Sequence, residues 1–234
     1  MIIHRTERIP TDITPAGALK QLKEGNFRFI NNLQVNRDLL ELVNVTQNGQ
    51  WPFAAILSCM DSRTSVELVF DQGLGDIFSI RIAGNVITDD VLGSLEYATA
   101  VAGSKLIVVL GHTNCGAIKG ACDQVELGHL TALLAKIQPA VIMERSETGN
   151  DTSENPAFVQ AVARRNVIYS AQQILSQSPV IAELVESGKL GIVPAMYDVA
   201  TGKVSFFEGK GLDGNGNGSA SASKENSGMA ASAN

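Results

Sequence analysis

The sequence contains few of the residues that carry most enzyme chemistry, with only three cysteines and three histidines in 234 residues. An odd and small number of cysteines in a chain of this length does not make a disulfide framework. An excess of basic residues is also missing, because 18 Lys and Arg against 24 Asp and Glu give a net charge of −6. This balance excludes nucleic acid and an anionic membrane surface as main partners.

Long hydrophobic runs are absent as well. No apolar stretch approaches the ~20 residues of a membrane helix, and the first fifteen residues are polar, without the apolar core of a secretion signal. We therefore expect a cytoplasmic protein with no membrane association. Hydrophobic residues nevertheless make up 44% of the chain and charged residues 18%, which is the balance of a protein that buries a sizeable core.

The composition changes abruptly near the C-terminal end. Of the 26 residues from Gly209 to Asn234, 20 are Gly, Ser, Ala or Asn. Because such a segment cannot offset the entropy of ordering, the sequence predicts a flexible tail over residues 209–234. The remainder is predicted to form a single α/β domain over residues 1–208, in which residues 1–50 make a helical N-terminal arm.

Short apolar runs alternate with helical patterns along this domain. Three runs lack polar alternation, which favours strands covered on both faces, at residues 53–58, 77–82 and 106–110. Helical spacing is found at residues 14–32 (with Thr14 as N-cap), 89–102, 130–144 and 156–187, the last broken near Pro179. A strand at 190–197 and a hairpin partner at 203–207 follow. The pattern predicts a mostly parallel central sheet, with four parallel strands, an antiparallel edge strand and helices on both faces.

Side chains that can bind a metal or take part in catalysis follow two of the predicted strands. Cys59, Asp61 and Arg63 come directly after the first strand, and His112 and Cys115 follow the third. In open parallel sheets, sites form beyond the carboxyl ends of the strands, so we expect these side chains to converge. Two thiolates and one imidazole are ordinary zinc ligands, and three protein ligands leave the fourth position of a catalytic zinc free. The sequence therefore predicts a zinc site at this edge of the sheet.

Other interpretations remain open at this point. Asp61 and Arg63 can form a purely structural ion pair, and Cys115 can be a nucleophile activated by His112. The nucleophile hypothesis leaves the coincidence of Cys59 and Asp61 unexplained. Three further residues are expected to take no part in the site: Cys122 in the core, and His4 and His129 on the surface.

The two motifs, in this order and each after a predicted buried strand, closely resemble the β-class carbonic anhydrases. The zinc motif of that family, Cys-x-Asp-x-Arg followed by His-x-x-Cys, is complete here. Four further residues match the family's substrate-binding positions: Gln50, Phe78, Tyr97 and Gly116. The resemblance runs from Thr14 to Phe207, and it departs at Arg81–Asn85, where the common Arg-Asn-Val-Ala-Asn reads Arg-Ile-Ala-Gly-Asn.

The resemblance implies a zinc enzyme of the lyase class that hydrates carbon dioxide reversibly, giving bicarbonate and a proton, by zinc-bound hydroxide. Cys59, His112 and Cys115 would hold the Zn²⁺ ion. Asp61, paired with Arg63, would orient the hydroxide, and on release from Arg63 it would bind the metal itself. The resemblance also implies a homodimer or homotetramer in which N-terminal helices wrap around the partner subunit. Two alternatives are a carbon disulfide or carbonyl sulfide hydrolase on the same scaffold and a non-catalytic zinc-binding protein.

Overall fold

A five-stranded sheet organises the chain, with the strand order β2-β1-β3-β4-β5. The computed structural model describes residues 13–146 and 149–212, so His4 and most of the predicted tail lie outside it. The strands are β1 (Ala54–Ser58), β2 (Ile77–Arg81), β3 (Leu106–His112), β4 (Gly191–Tyr197) and β5 (Val204–Phe206). The first four are parallel and β5 runs antiparallel to β4. The predicted α/β fold, with four parallel strands and an antiparallel edge strand, is confirmed.

Helices connect the strands and cover the sheet. In the described ranges they are α1 (Pro15–Ile30), α2 (Leu39–Thr46), α3 (Val66–Val69), α4 (Asp89–Glu96), α5 (Gly116–Cys122), α6 (Gly128–Ala135), α7 (Gln138–Glu144), α8 (Pro156–Gln177) and α9 (Pro179–Glu186). A 3₁₀ turn follows β2 at Ala83–Asn85, and a π-helical turn follows α4 at Tyr97–Val101. None of these helices combines the length and the apolar character that crossing a membrane requires.

Alternate residues of the central strands point into two separate cores. In β1, Ala55 and Leu57 join the larger hydrophobic cluster, which α8 and its neighbouring helices cover. Ala54 and Ile56 join the second cluster, on the opposite face, together with Leu22 of α1. Because side chains alternate across a strand, an unbroken apolar run requires cover on both faces. The predicted helices on both faces are confirmed.

Two details of the sequence prediction are wrong. The run at 77–82 forms β2, but only Ile77 of that strand is buried, because β2 lies at the edge of the sheet. The pattern predicted for 130–144 is not one helix but two, α6 and α7. Pro139 lies in the first turn of α7, and a proline that lacks an N–H and crowds the preceding turn favours a new helix start over continuation.

The N-terminal segment contains one docked helix and one exposed helix. Thr14 caps α1 as predicted, accepting the Gly17 N–H at 3.1 Å, and α1 buries Ala18 and Leu22 against the sheet. Helix α2 buries no residue at all. At the other end, Lys210 pairs with Ile192 and Leu212 packs against the second cluster. The folded body therefore continues through residue 212, past the predicted start of the tail.

A buried aspartate ties the exposed part of the N-terminal segment to the domain. The Asp71 carboxylate, 2% exposed, accepts hydrogen bonds from the guanidinium groups of Arg28 and Arg37 and from the Val35 N–H. Burial by itself raises the pKa of Asp71, but the hydrogen bonds from Arg37 and Arg28 outweigh it and hold that pKa below its ordinary value. The ionised form is therefore the one that the fold favours.

We expect Asp71→Asn to lower the free energy of unfolding at pH 7 by about 3–5 kcal/mol, because it leaves two partly buried guanidinium groups without a charge partner. A group whose pKa is lowered by folding stabilises the protein above its unfolded pKa of about 3.9 and loses that effect as pH falls through the folded pKa. Urea unfolding from pH 3 to pH 7 should show the difference between the two proteins shrinking at low pH. The control is Glu24→Gln, which removes the exposed Lys20–Glu24 pair and should cost less than about 1 kcal/mol. A similar small cost for Asp71→Asn would contradict the prediction.

Candidate metal centre

The residues predicted to converge do so at the carboxyl ends of β1 and β3. These strands are neighbours, with Ser58 opposite Leu110, so Cys59 follows one strand where His112 ends the other. Asn114 has a φ of 55°, a left-handed conformation that asparagine tolerates better than most residues. The turn brings Cys115 back to the same point. One ligand atom from each of Cys59, His112 and Cys115 lies within 4.8 Å of the other two.

The imidazole of His112 is oriented for ligation. Its Nδ1 lies 2.9 Å from the Thr113 carbonyl oxygen, and because a carbonyl can only accept, Nδ1 carries the hydrogen. The other ring nitrogen, Nε2, therefore presents a lone pair. It is buried without a hydrogen-bond partner, in a residue only 1% exposed. A buried polar atom that faces two sulfurs and lacks a partner fits a metal ligand whose second nitrogen is held by the protein.

The two cysteine sulfurs have the separation that a shared zinc ion requires. Sγ of Cys59 and Sγ of Cys115 are 3.9 Å apart, and two sulfurs bound tetrahedrally at about 2.3 Å lie roughly 3.8 Å apart. The hydrogen bond from the Cys115 thiol lowers the pKa of Cys59 well below its usual value, against the opposing effect of burial. Donating that bond raises the pKa of Cys115, as do burial and the negative Cys59 sulfur. A cation between them would allow both to ionise, so the donor set fits zinc.

The predicted Asp61–Arg63 pair lies beside this cluster. Arg63 donates from Nε to Oδ1 of Asp61 at 2.9 Å and from Nη2 to Oδ2 at 2.7 Å, a bidentate arrangement. The side-chain hydrogen bonds from Arg63 hold the pKa of Asp61 well below its usual range. Oδ2 of Asp61 is 3.9 Å from Nε2 of His112. The carboxylate thus rests on Arg63, at the edge of the three-ligand cluster.

Two residues that the site prediction missed hold the backbone of this loop. The buried Thr64 hydroxyl donates to the carbonyl oxygens of Cys59, at 3.0 Å, and Asp61, at 2.8 Å. Arg81 donates to the same two carbonyls, at 3.3 Å and 2.6 Å. A threonine that closes a tight turn after a strand is a sequence signal for the first of these bonds. The second depends on the pairing of β1 with β2, which places Arg81 opposite Ser58.

Of the four predicted substrate-binding residues, one lies at the metal-ligand cluster and three lie away from it. Gly116 directly follows Cys115 as the first residue of α5. Gln50 is exposed and precedes β1, at the opposite end of the strand from Cys59. Phe78 and Tyr97 form an edge-to-face pair with ring centroids 6.3 Å apart, and they line an open groove of about 540 Å³ beside the edge strand β2. Within one chain, Gly116 lies at the cluster and the other three lie away from it.

The cysteine and histidine side chains outside a metal-ligand role differ in their exposure. Cys115 is only 2% exposed, which argues against its being a nucleophile, since reactive thiols are accessible. Cys122 is buried in the core, where burial raises the pKa of its thiol to about 11. His129 is exposed. The predictions for Cys122 and His129 are confirmed.

Sequence comparison connects this geometry to known proteins. The family model described as carbonic anhydrase matches residues 54–204. A carbonic anhydrase of Mycolicibacterium smegmatis is 36% identical over 197 residues, which cover 81% of this chain and 92% of the relative. Carbonic anhydrase 2 of Mycobacterium tuberculosis is also 36% identical, with 81% of this chain and 91% of the relative covered.

Solved structures agree with the fold. The β-carbonic anhydrase CafA of Aspergillus fumigatus superposes with a TM-score of 0.66 at 25% identity, covering 82% of this chain and 90% of that one. A β-carbonic anhydrase of Sordaria macrospora, one of two described as tetrameric, also gives a TM-score of 0.66, at 23% identity, with 73% of this chain and 88% of that one covered. The sheet and its helices are therefore shared with this group of enzymes.

Proposed function

Because the chain belongs to the β-carbonic anhydrase family, we propose that it hydrates carbon dioxide reversibly to bicarbonate and a proton, with a zinc ion held by Cys59, His112 and Cys115. The observation that carries this proposal is the convergence of two sulfurs and an unpartnered imidazole nitrogen within 4.8 Å. A zinc ion held there supplies Lewis acidity, which brings the ionisation of water close to neutral pH. Carbon dioxide is only weakly electrophilic, so its hydration needs that supply of nucleophile.

The Asp61–Arg63 pair orients the nucleophile. An ionised carboxylate can only accept hydrogen bonds, and the low pKa of Asp61 keeps it ionised. It can therefore accept a hydrogen bond from the attacking hydroxyl and fix the direction of its lone pairs. Arg63 occupies both carboxylate oxygens and holds Asp61 off the metal ligands. Released from Arg63, the carboxylate has a cluster ligand atom only 3.9 Å away and would bind the metal itself, closing the site.

The substrate pocket is completed by a second copy of the chain. Gly116 lies at the cluster as the first residue of α5, where its backbone N–H would donate to a substrate oxygen. Gln50 lies beyond the far end of β1, with roughly 15 Å of strand, at about 3.3 Å per residue, between the two ends. Phe78 and Tyr97 face an open groove at an exposed sheet edge. A two-fold assembly, dimer or tetramer, would bring these three residues of one protomer to the metal ligands of its partner.

The exposed N-terminal helix supports the same assembly. Helix α2 buries no residue in its own chain, and Leu39, Leu40 and Val43 are all at least half exposed. Apolar exposure of this kind marks a surface that another protein covers. The segment between α1 and α2 is held to the domain through Arg37 and Asp71, so the helix is presented outward in a defined place.

Complementation between two weakly active variants tests the shared pocket. Asp61→Asn and Gln50→Ala should each be weakly active alone. In a co-expressed mixed dimer, one site combines an intact Asp61 from the Gln50→Ala chain with an intact Gln50 from the other chain. If the pocket is shared, mixed dimers should recover about half of the wild-type turnover per dimer, because an isologous interface makes two sites. No recovery in a purified mixed dimer would place Gln50 and Asp61 in the same site of one chain.

The central experiment is a stopped-flow hydration assay. The zinc-loaded protein is mixed with carbon dioxide, and carbonyl sulfide and carbon disulfide are assayed in parallel with the same preparation. We expect rapid hydration of carbon dioxide that a chelator abolishes and that added zinc restores. Turnover of only the sulfur compounds would replace the substrate, and stoichiometric zinc without turnover of any of the three would indicate a non-catalytic zinc protein.

A further inference from the structure

The 3₁₀ turn after β2 places a backbone N–H against one of the cysteine sulfurs. The Gly84 N–H donates to Sγ of Cys59 over 3.4 Å, in the buried part of the site. Gly84 and the following Asn85 both have positive φ, 66° and 44°. The turn therefore depends on two consecutive residues in a conformation that L-amino acids rarely adopt.

The turn favours glycine at position 84, but glycine by itself does not fix the backbone conformation there. A Cβ on Gly84 would lie 2.7 Å from Cδ1 of the buried Ile137, so another residue would have to displace that side chain and adopt a φ of 66° that strains most L-residues. Glycine, however, is the residue with the greatest conformational freedom. Something else must keep its N–H directed at the sulfur.

Helix α8 supplies the missing constraint. Nδ2 of Asn166 donates to the Gly84 carbonyl oxygen at 2.8 Å, and one helical turn later the Ser170 hydroxyl donates to the Asn85 carbonyl at 3.3 Å. Both side chains are 1% exposed. A buried asparagine whose amide donates to the carbonyl of a conformationally free glycine restricts the backbone torsion angles of that glycine.

We infer that Asn166 is a positioning residue of the metal centre, which anchors Gly84 so that its N–H remains hydrogen-bonded to the Cys59 sulfur. The inference rests on the proposed zinc site. The bond has two effects at the sulfur: it fixes the Cys59 side chain, and it withdraws electron density from the thiolate. Outer partners of metal ligands contribute about 10–100-fold in metal affinity.

The test compares two substitutions on the same face of α8. Asn166→Leu keeps the volume and removes the donor to Gly84, whereas Ser170→Ala removes an equally buried donor to the same turn but leaves Gly84 anchored. Zinc affinity is measured by competition with a chromophoric chelator, and the Co²⁺-loaded proteins are compared by absorption spectroscopy. We expect Asn166→Leu to bind zinc about 10–100-fold more weakly. Its sulfur-to-cobalt charge-transfer band should move to longer wavelength, because a thiolate without a hydrogen bond gives up its electrons more easily.

Ser170→Ala should leave both the affinity and the cobalt spectrum at wild-type values, even if it unfolds more easily. Wild-type affinity and an unshifted band in Asn166→Leu would overturn the inference, as would equal changes in both variants. A wild-type protein that binds no zinc would instead refute the proposed metal centre.

A measurement on the wild-type protein covers the case in which Asn166→Leu does not fold. With ¹¹³Cd in the site, the Gly84 amide proton should show a scalar coupling to the metal across the N–H···Sγ bond. Asn166→Ser, a smaller polar replacement that cannot reach the Gly84 carbonyl, should fold and lose that coupling. Absence of the coupling in the wild-type protein, or its persistence in Asn166→Ser, would overturn the inference.

Discussion

Cys115→Ser should lose most of its zinc and, with it, all measurable hydration activity. A serine hydroxyl is a far poorer zinc ligand than a thiolate, and only Cys59 and His112 remain. Removal of a direct ligand should cost more than the roughly 100-fold that is the upper end for outer partners. The metal content of protein purified by gel filtration, measured by elemental analysis, gives the result directly.

The chain provides a matched control for this loss of metal. Cys122 is also buried, but it belongs to the hydrophobic core and not to the cluster, so Cys122→Ser should keep one zinc per chain. Misfolding is not expected in Cys115→Ser, because Cys115 is the N-cap of α5, and serine is among the preferred residues at that position. Full zinc occupancy in Cys115→Ser would refute the ligand assignment.

Asp61→Asn should keep its zinc and lose about 10²–10⁴-fold in hydration turnover. Asparagine has the same shape but only one acceptor oxygen, and its amide NH₂ donates. It can satisfy the Arg63 fork or the attacking hydroxyl, but not both. The experiment compares stopped-flow rates with zinc content, and Asp123→Asn, an aspartate that accepts from Ser153 away from the cluster, is the control. Wild-type turnover in Asp61→Asn would remove Asp61 from the mechanism.

The same prediction extends to Arg63, which should act by a different route. Arg63→Ala leaves the Asp61 carboxylate intact but frees it, and the carboxylate is already 3.9 Å from the His112 Nε2 atom. We expect bound zinc with little turnover at neutral pH, since a carboxylate on the metal displaces water. The Co²⁺ spectrum should differ from those of the wild type and of Asp61→Asn. Near wild-type turnover in Arg63→Ala at neutral pH would show that Arg63 does not hold Asp61 off the metal.

The hydrophobic pattern of the sequence predicts which segments form strands, but it does not predict where each strand lies in the sheet. The apolar runs of β1 and β3 predict strands with two covered faces because successive side chains of a strand point to opposite faces, and an unbroken apolar run therefore exposes neither face to water. The run of β2 has a similar composition but lies at the edge, with only Ile77 buried. Local composition cannot distinguish these cases, because strand order is set by packing between distant segments. The break between α6 and α7 was, in contrast, present in the sequence as Pro139.

In the candidate site, the sequence likewise predicts some residues and not others. Cys59, His112 and Cys115 can be predicted from the sequence because each closely follows, or ends, a strand of a parallel sheet, and the ends of such strands meet at one edge. Asp61 and Arg63 are two residues apart, so their pairing is a local property of one loop. The ligand types, their spacing within each loop and their position after a strand can therefore all be read from two short segments of the sequence.

The support of that site was decided only by the tertiary structure. Asn166 is 82 residues from the glycine that it anchors, and Arg81 is 22 residues from the Cys59 carbonyl to which it donates. Asn166 belongs to no motif, and the motif stretch that contains Arg81 does not indicate this contact. Each side chain acts on a backbone carbonyl, which every residue possesses and which no sequence pattern can identify. These contacts arise when α8 packs against the 3₁₀ turn and β2 pairs with β1. Buried backbone carbonyls in the turn and in the loop after β1 must find partners once water is excluded.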